Sequence, residues 1–123
     1  MRSPASRHLE RQSMETDRLL RELARGCSLE PFRVLVEPLI EHDRERRSDL
    51  MRTLRVYFAV SANASEAADR LFLHRNSMLY RLARIEKLTG LDLKNPRARL
   101  ALQLGLLFVG ERDRSTNDAT EHP

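Results

Sequence analysis

Residues 63–90 read NASEAADRLFLHRNSMLYRLARIEKLTG, a short small-residue helix, a tight turn and a longer cationic helix in direct succession. The spacing predicts the first helix over SEAADRLF, capped either by Ser65 or by an Asn63/Glu66 capping box. Its expected buried side is Ala67, Ala68 and Leu71, and the two alanines let a following helix approach closely. After Leu73 comes a turn without Gly or Pro. The second helix then runs from Arg75 to about Thr89 and ends on Gly90 in the left-handed cap position.

Placed at 100° per residue with Met78 at zero, Leu82, Ile85 and Thr89 fall within about 40° of it and form a buried stripe. Asn76, Ser77, Tyr80, Ala83, Arg84 and Lys87 fall between about 140° and 260°, on the opposite face. Arg75 lies nearer the buried side, but at the first turn its long side chain still reaches outward. This face has the chemistry of duplex DNA recognition. Arg offers a fork to guanine or phosphate, Asn pairs with adenine, and Ser or Tyr hydroxyls reach bases or phosphates. Free N–H groups at the helix starts near Ser65 and Arg75 suit phosphate, and His74 either caps the second helix or touches a phosphate. Together the two helices read as a helix-turn-helix whose second helix lies in the major groove.

Charge supports that reading over a merely solvated face. Residues 1–69 carry 12 basic and 12 acidic side chains, residues 70–99 carry 8 and 2, and residues 100–123 carry 2 and 4. The net charge of +4 therefore resides in the block around the second helix. Arg70, Arg81, Arg84 and Lys87 are the expected phosphate contacts, and Arg75, Asn76 and Tyr80 the expected base readers.

Outward from this block, Asp49 is placed to cap a helix carrying Leu50, Leu54, Tyr57 and Phe58, ending near Val60. On the other side Asn95 and Pro96 start a helix to about Val109, apolar nearly all round, which must be covered on more than one face. Its outer leucines either cap its own chain or meet a second subunit. Upstream, Leu19, Leu20, Leu23 and Ala24 suggest a short helix from Thr16 that ends at Gly26. Phe32, Leu35, Val36, Leu39 and Ile40 suggest two short helices or one bent at Pro38. The run His42 to Asp49, HDRERRSD, reads as a solvated connector. The expected organisation is a mobile leader over 1–15, a helical lead-in over 16–47, a helix-turn-helix domain over 48–110 and a polar tail over 111–123.

The fold class expected is all-α, one domain with few aromatics, little β-branched patterning and only 4 Gly in 123 residues. Cys27 is the single cysteine, so an internal disulfide is excluded and a reducing cytoplasm fits. The chain has no 18-residue apolar run and no apolar core of a secretory signal, so no membrane partner is expected. His8, His42, His74 and His122 share no metal-binding spacing, and neither a catalytic triad nor a phosphate loop is visible. No cofactor and no enzymatic activity are expected.

The segments DLMRTLRVYF, NASEAADRLFLHRNSMLYRLARIEKLTGLDL and RLALQLGLLF together resemble the C-terminal helix-turn-helix domain of PucR/CdaR-type bacterial transcriptional regulators. The resemblance covers about residues 49–108, and the preceding VEPLIEHD is similar to the family's lead-in. The family's usual Thr in the HRNS core is Ser77 here, which keeps the hydroxyl. The resemblance implies a sequence-specific DNA-binding module controlling transcription, often of catabolic genes, with Arg75, Asn76, Ser77, Tyr80 and Arg81 in the recognition helix. It implies a Fis-like trihelical core with extra N-terminal helices, and a homodimer on paired half-sites. An effector-sensing domain is expected to be absent from this stretch. The competing reading is a helical oligomerisation or protein-interaction module whose basic helix meets an acidic partner; RNA is a weaker third, without an aromatic stacking sheet.

Overall fold

Among the described residues of the computed structural model six helices follow one another, α1 (Pro4–Gly26), α2 (Glu30–Arg46), α3 (Leu50–Ala59), α4 (Ala64–Arg70), α5 (Arg75–Thr89) and α6 (Pro96–Thr120). The structure describes the backbone of residues 4–26 and 28–120 and the side chains of 14–26 and 28–110, so Cys27, His122, the side chain of His8 and the outermost leader and tail positions lie outside the described residues. Among the described residues there is no strand, and the fold is all-helical as expected.

The core is one cluster drawn from every helix after α1. Val36 and Leu39 of α2, Leu54 of α3, Ala67 of α4, Met78 and Ile85 of α5 and Leu102 of α6 have no accessible surface. α2 lies along α6, α4 lies against α5, and α3 touches α2, α4 and α5. α1 packs on α6, with Ala24 buried and Leu19, Leu20 and Leu23 exposed. That helix starts well before Thr16. Residues 4–15 hold too few apolar side chains to show a period, and exposed pairs such as Arg18 with Glu15 and Glu22 support the helix locally. α6 likewise continues beyond Val109 to Thr120.

Pro38 does not divide α2. Its ring removes the bond that the Val34 carbonyl would accept, but Val34 lies on the water side and fully buried Val36 and Leu39 hold both flanking turns against the core. The charged run 42–49 also differs from a plain connector, because residues 42–46 complete α2.

The cap of α3 is built differently from the expectation. Asp49 occupies the N-cap position but makes no side-chain cap bond. The Asp43 carboxylate caps instead, accepting from the Leu50 and Met51 amides at 2.7 and 2.9 Å. It also accepts from the Ser48 hydroxyl at 2.6 Å, and His42 Nδ1 lies 2.8 Å from that same hydroxyl. A carboxylate one turn back in α2 thus fixes the angle between α2 and α3, and it frees Asp49 for another partner.

Elsewhere the caps follow the sequence. Asn63, not Ser65, accepts from the Glu66 amide at 3.0 Å. Gly90 closes α5 at φ 73° and donates to the Glu86 carbonyl. Asn95 accepts from the Arg97 amide at 2.9 Å with Pro96 at the first helical position.

The α4–α5 turn is closed by the Leu73 amide on the Ala68 carbonyl at 2.9 Å and places Phe72 at φ 56°. This is the residue a helix end reserves for glycine. Phe72 is 93% exposed, so its ring contributes little packing. A left-handed non-glycine residue costs about 1–2 kcal/mol, while glycine's extra unfolded freedom costs about 0.5–1. Phe72→Gly is therefore expected to stabilise the fold by up to about 1 kcal/mol, seen as a higher urea midpoint at unchanged slope. A lower midpoint would show that the ring, not the backbone, dominates there.

Candidate nucleic-acid interface

α5 buries Met78, Leu82 and Ile85 and turns Arg75, Asn76, Ser77 and Tyr80 to solvent. Tyr80 is 70% exposed, and Lys87 is exposed one face-length further along. The helix therefore presents its polar first turn at an edge of the fold. α4, with its buried Ala67 and Ala68, sits against it as the small-residue spacing requires.

The remaining predicted positions divide. Ser65 is exposed in the first turn of α4. Arg70 is exposed, within 3.8 Å of Glu66 on the same helix, a solvent-screened pair that a phosphate can displace. His74 holds the N-cap position of α5 with extended backbone and no side-chain cap bond. Arg84 is half-buried. Arg81 is only 28% exposed and turned inward, ion-paired with Asp49 and donating to Thr53 Oγ1 at 3.2 Å. Thr53, fully buried, in turn donates to the Asp49 carbonyl at 2.9 Å. Arg81 thus ties α5 to the start of α3.

Beside that face lies an open cleft of about 860 Å³. One wall is Asn76, Ser77, Tyr80 and Arg84 of α5, and the other is the α2–α3 junction, including Arg46, Arg47 and Ser48. Sequence reading placed that second wall in the connector. Among the described residues, no group of three His, Cys, Asp or Glu side chains could hold a metal, and no helix is long and apolar enough to cross a membrane.

Residues 50–108 match the family model described as the PucR C-terminal helix-turn-helix domain. The chain is 41% identical over 71 residues to the purine catabolism regulatory protein of Bacillus subtilis (strain 168), covering 58% of this chain and 13% of that protein. It is 44% identical over 63 residues to the carbohydrate diacid regulator of Escherichia coli (strain K12), 51% of this chain and 16% of the relative. The proline-responsive transcriptional activator PutR of Bacillus subtilis matches at 33% over 70 residues, 57% of this chain and 17% of the relative. The chain thus spans under a fifth of the length of these three relatives. No solved structure matches it significantly.

Proposed function

Since residues 50–108 belong to the PucR C-terminal helix-turn-helix domain family, we propose that this chain is the sequence-specific DNA-binding module of a transcriptional regulator, with α5 as its recognition helix. The observation that carries this reading is the division of α5 into a fully buried Met78/Ile85 stripe and an outward face bearing Arg75, Asn76 and Ser77 in its first turn and Tyr80 in its second. The relatives' names, two regulators and a transcriptional activator, agree with it.

In this reading α5 enters the major groove by its N-terminal turn, and α4 crosses the backbone. Asn76 and Arg75 read base edges, with Ser77 and Tyr80 adding hydroxyl contacts. Arg70, Arg84, Lys87, His74 and the amides near Ser65 meet phosphates, while Arg81 positions α5 through Asp49. Two copies on paired half-sites complete the site by the two-fold logic of such modules. The compartment that goes with this work is the cytoplasm.

The test is selection of bound duplexes from a genomic pool, followed by titration across a salt series. Asn76→Ala is expected to cost about 1–3 kcal/mol on the selected site and almost nothing on random competitor. Equal losses on both would remove Asn76 from base reading. If no fragment binds the unaltered chain better than bulk competitor, the basic helix serves a protein partner instead.

A further inference from the structure

The second wall of the cleft carries two arginines that the recognition helix leaves unused. Arg46 is the last residue of α2, and Arg47 follows it in the left-handed conformation at φ 52°. Both are exposed, and both line the cleft opposite Asn76, Tyr80 and Arg84. Among the described residues, neither has an ion-pair partner.

Two features make this more than a charged surface. The junction is held in place: Asp43 gathers the Ser48 hydroxyl and the amides of Leu50 and Met51, so the backbone bearing Arg46 and Arg47 has a set direction relative to α3. Two of the three acids in the run 42–49 are also engaged elsewhere, Asp43 in that cap and Asp49 with Arg81, and the third, Glu45, is exposed and does not line the cleft. Neither Asp43 nor Asp49 is left to neutralise the arginine pair within the cleft. Two unpaired guanidinium groups therefore stand across an open cleft from the polar edge of α5, and the Arg81–Asp49 link fixes the two walls to each other.

We infer that Arg46 and Arg47 hold the phosphodiester backbone of the duplex whose groove α5 enters, forming a second strand of contacts outside the matched segment 50–108. The inference rests on α5 being the recognition helix. It makes the end of α2 part of the interface and assigns to Arg46 and Arg47 affinity without sequence choice. Arginine suits this task because its planar fork grips phosphate oxygens in pairs.

The experiment uses the full chain and a selected duplex, with random duplex as comparison, by fluorescence anisotropy from low to moderate salt. R46Q/R47Q is expected to weaken binding to both duplexes by the same factor and to lower the salt slope by about 2, one unit per lost phosphate contact. R46K/R47K keeps the charge and is expected to keep most of the slope. R55Q, on the cleft between α1 and α6, is expected to bind as the unaltered chain does.

An unchanged slope in R46Q/R47Q overturns the inference, as does a loss confined to the selected duplex, which would mean base reading. Equal loss in the glutamine and lysine pairs also overturns it, because the effect would then lie in the helix end and not in charge. If Asn76→Ala behaves as expected while R46Q/R47Q is silent, the recognition-helix reading stands and this one falls. If the unaltered chain binds no duplex, both fall.

Discussion

Met78→Ala is expected to lower stability by about 2–5 kcal/mol and to abolish tight DNA binding with it. Met78 has no accessible surface and lies in the first turn of α5, directly under the side that bears Asn76 and Tyr80. Shortening it leaves a cavity where the recognition turn rests on the core, and a loss of that size is a large share of the about 5–15 kcal/mol that holds such a domain folded. Tyr80→Ala is the contrasting case, since a 70% exposed ring costs within about 0.5 kcal/mol of stability when removed. Urea unfolding and duplex titration separate the two variants. The first should lose midpoint and affinity together, the second affinity alone. A Met78→Ala chain with an unshifted midpoint would show that α5 is not seated by this stripe. Met78→Leu, nearly equal in volume, should cost less than about 1.5 kcal/mol and keep binding.

That contrast between Met78 and Tyr80 was legible in the sequence because both signals are local. Helical spacing alone separates Met78, Leu82 and Ile85 from Asn76, Tyr80 and Lys87, and the structure buries the first three and exposes the others. Caps made within a few residues were equally readable, as with Asn63 on Glu66, Gly90 after Thr89, and Asn95 before Pro96. Contacts between distant positions were not. Asp43 caps α3 across a helix end, and Arg81 finds Asp49 and Thr53 on another helix. Arg81 follows Met78 by three residues and so lies on the flank of the buried side, where an inward partner outweighs its kinship with the outward residues. Arg46 and Arg47 were hidden for a different reason. HDRERRSD holds three acids and three arginines, so a charge count over the run is neutral, and only the fold shows that two of the acids are spent on caps and pairs. Phe72 carries no local signal of its left-handed backbone, because glycine is what marks such a turn residue and here there is none.

Gly105→Ala is expected to destabilise by about 3 kcal/mol, against the direction that helix propensity alone predicts. Alanine in a helix interior is favoured over glycine by about 1 kcal/mol, and Gly105 is inside α6. Yet a Cβ there would come within 2.6 Å of the Phe32 carbonyl oxygen and 3.3 Å of a Val36 methyl. The oxygen belongs to the backbone of α2 and cannot swing aside, so the two helices must separate where Val36 and Leu102 are fully buried. Gly110, in the same helix, supplies the opposite sign. Its Cβ would meet only the Arg55 guanidinium at 3.7 Å, an ordinary contact, so Gly110→Ala should stabilise by up to about 1 kcal/mol. Thermal or urea melts of the two variants therefore move in opposite directions. If both stabilise, α2 and α6 do not cross at Gly105. The clash falls at Phe32, near the start of α2, while Arg46 and Arg47 stand beyond its other end, where the Asp43 cap and the Arg81–Asp49 pair hold the junction. In Gly105→Ala protein that remains folded, the salt slope should therefore stay near that of the unaltered chain, in contrast to R46Q/R47Q.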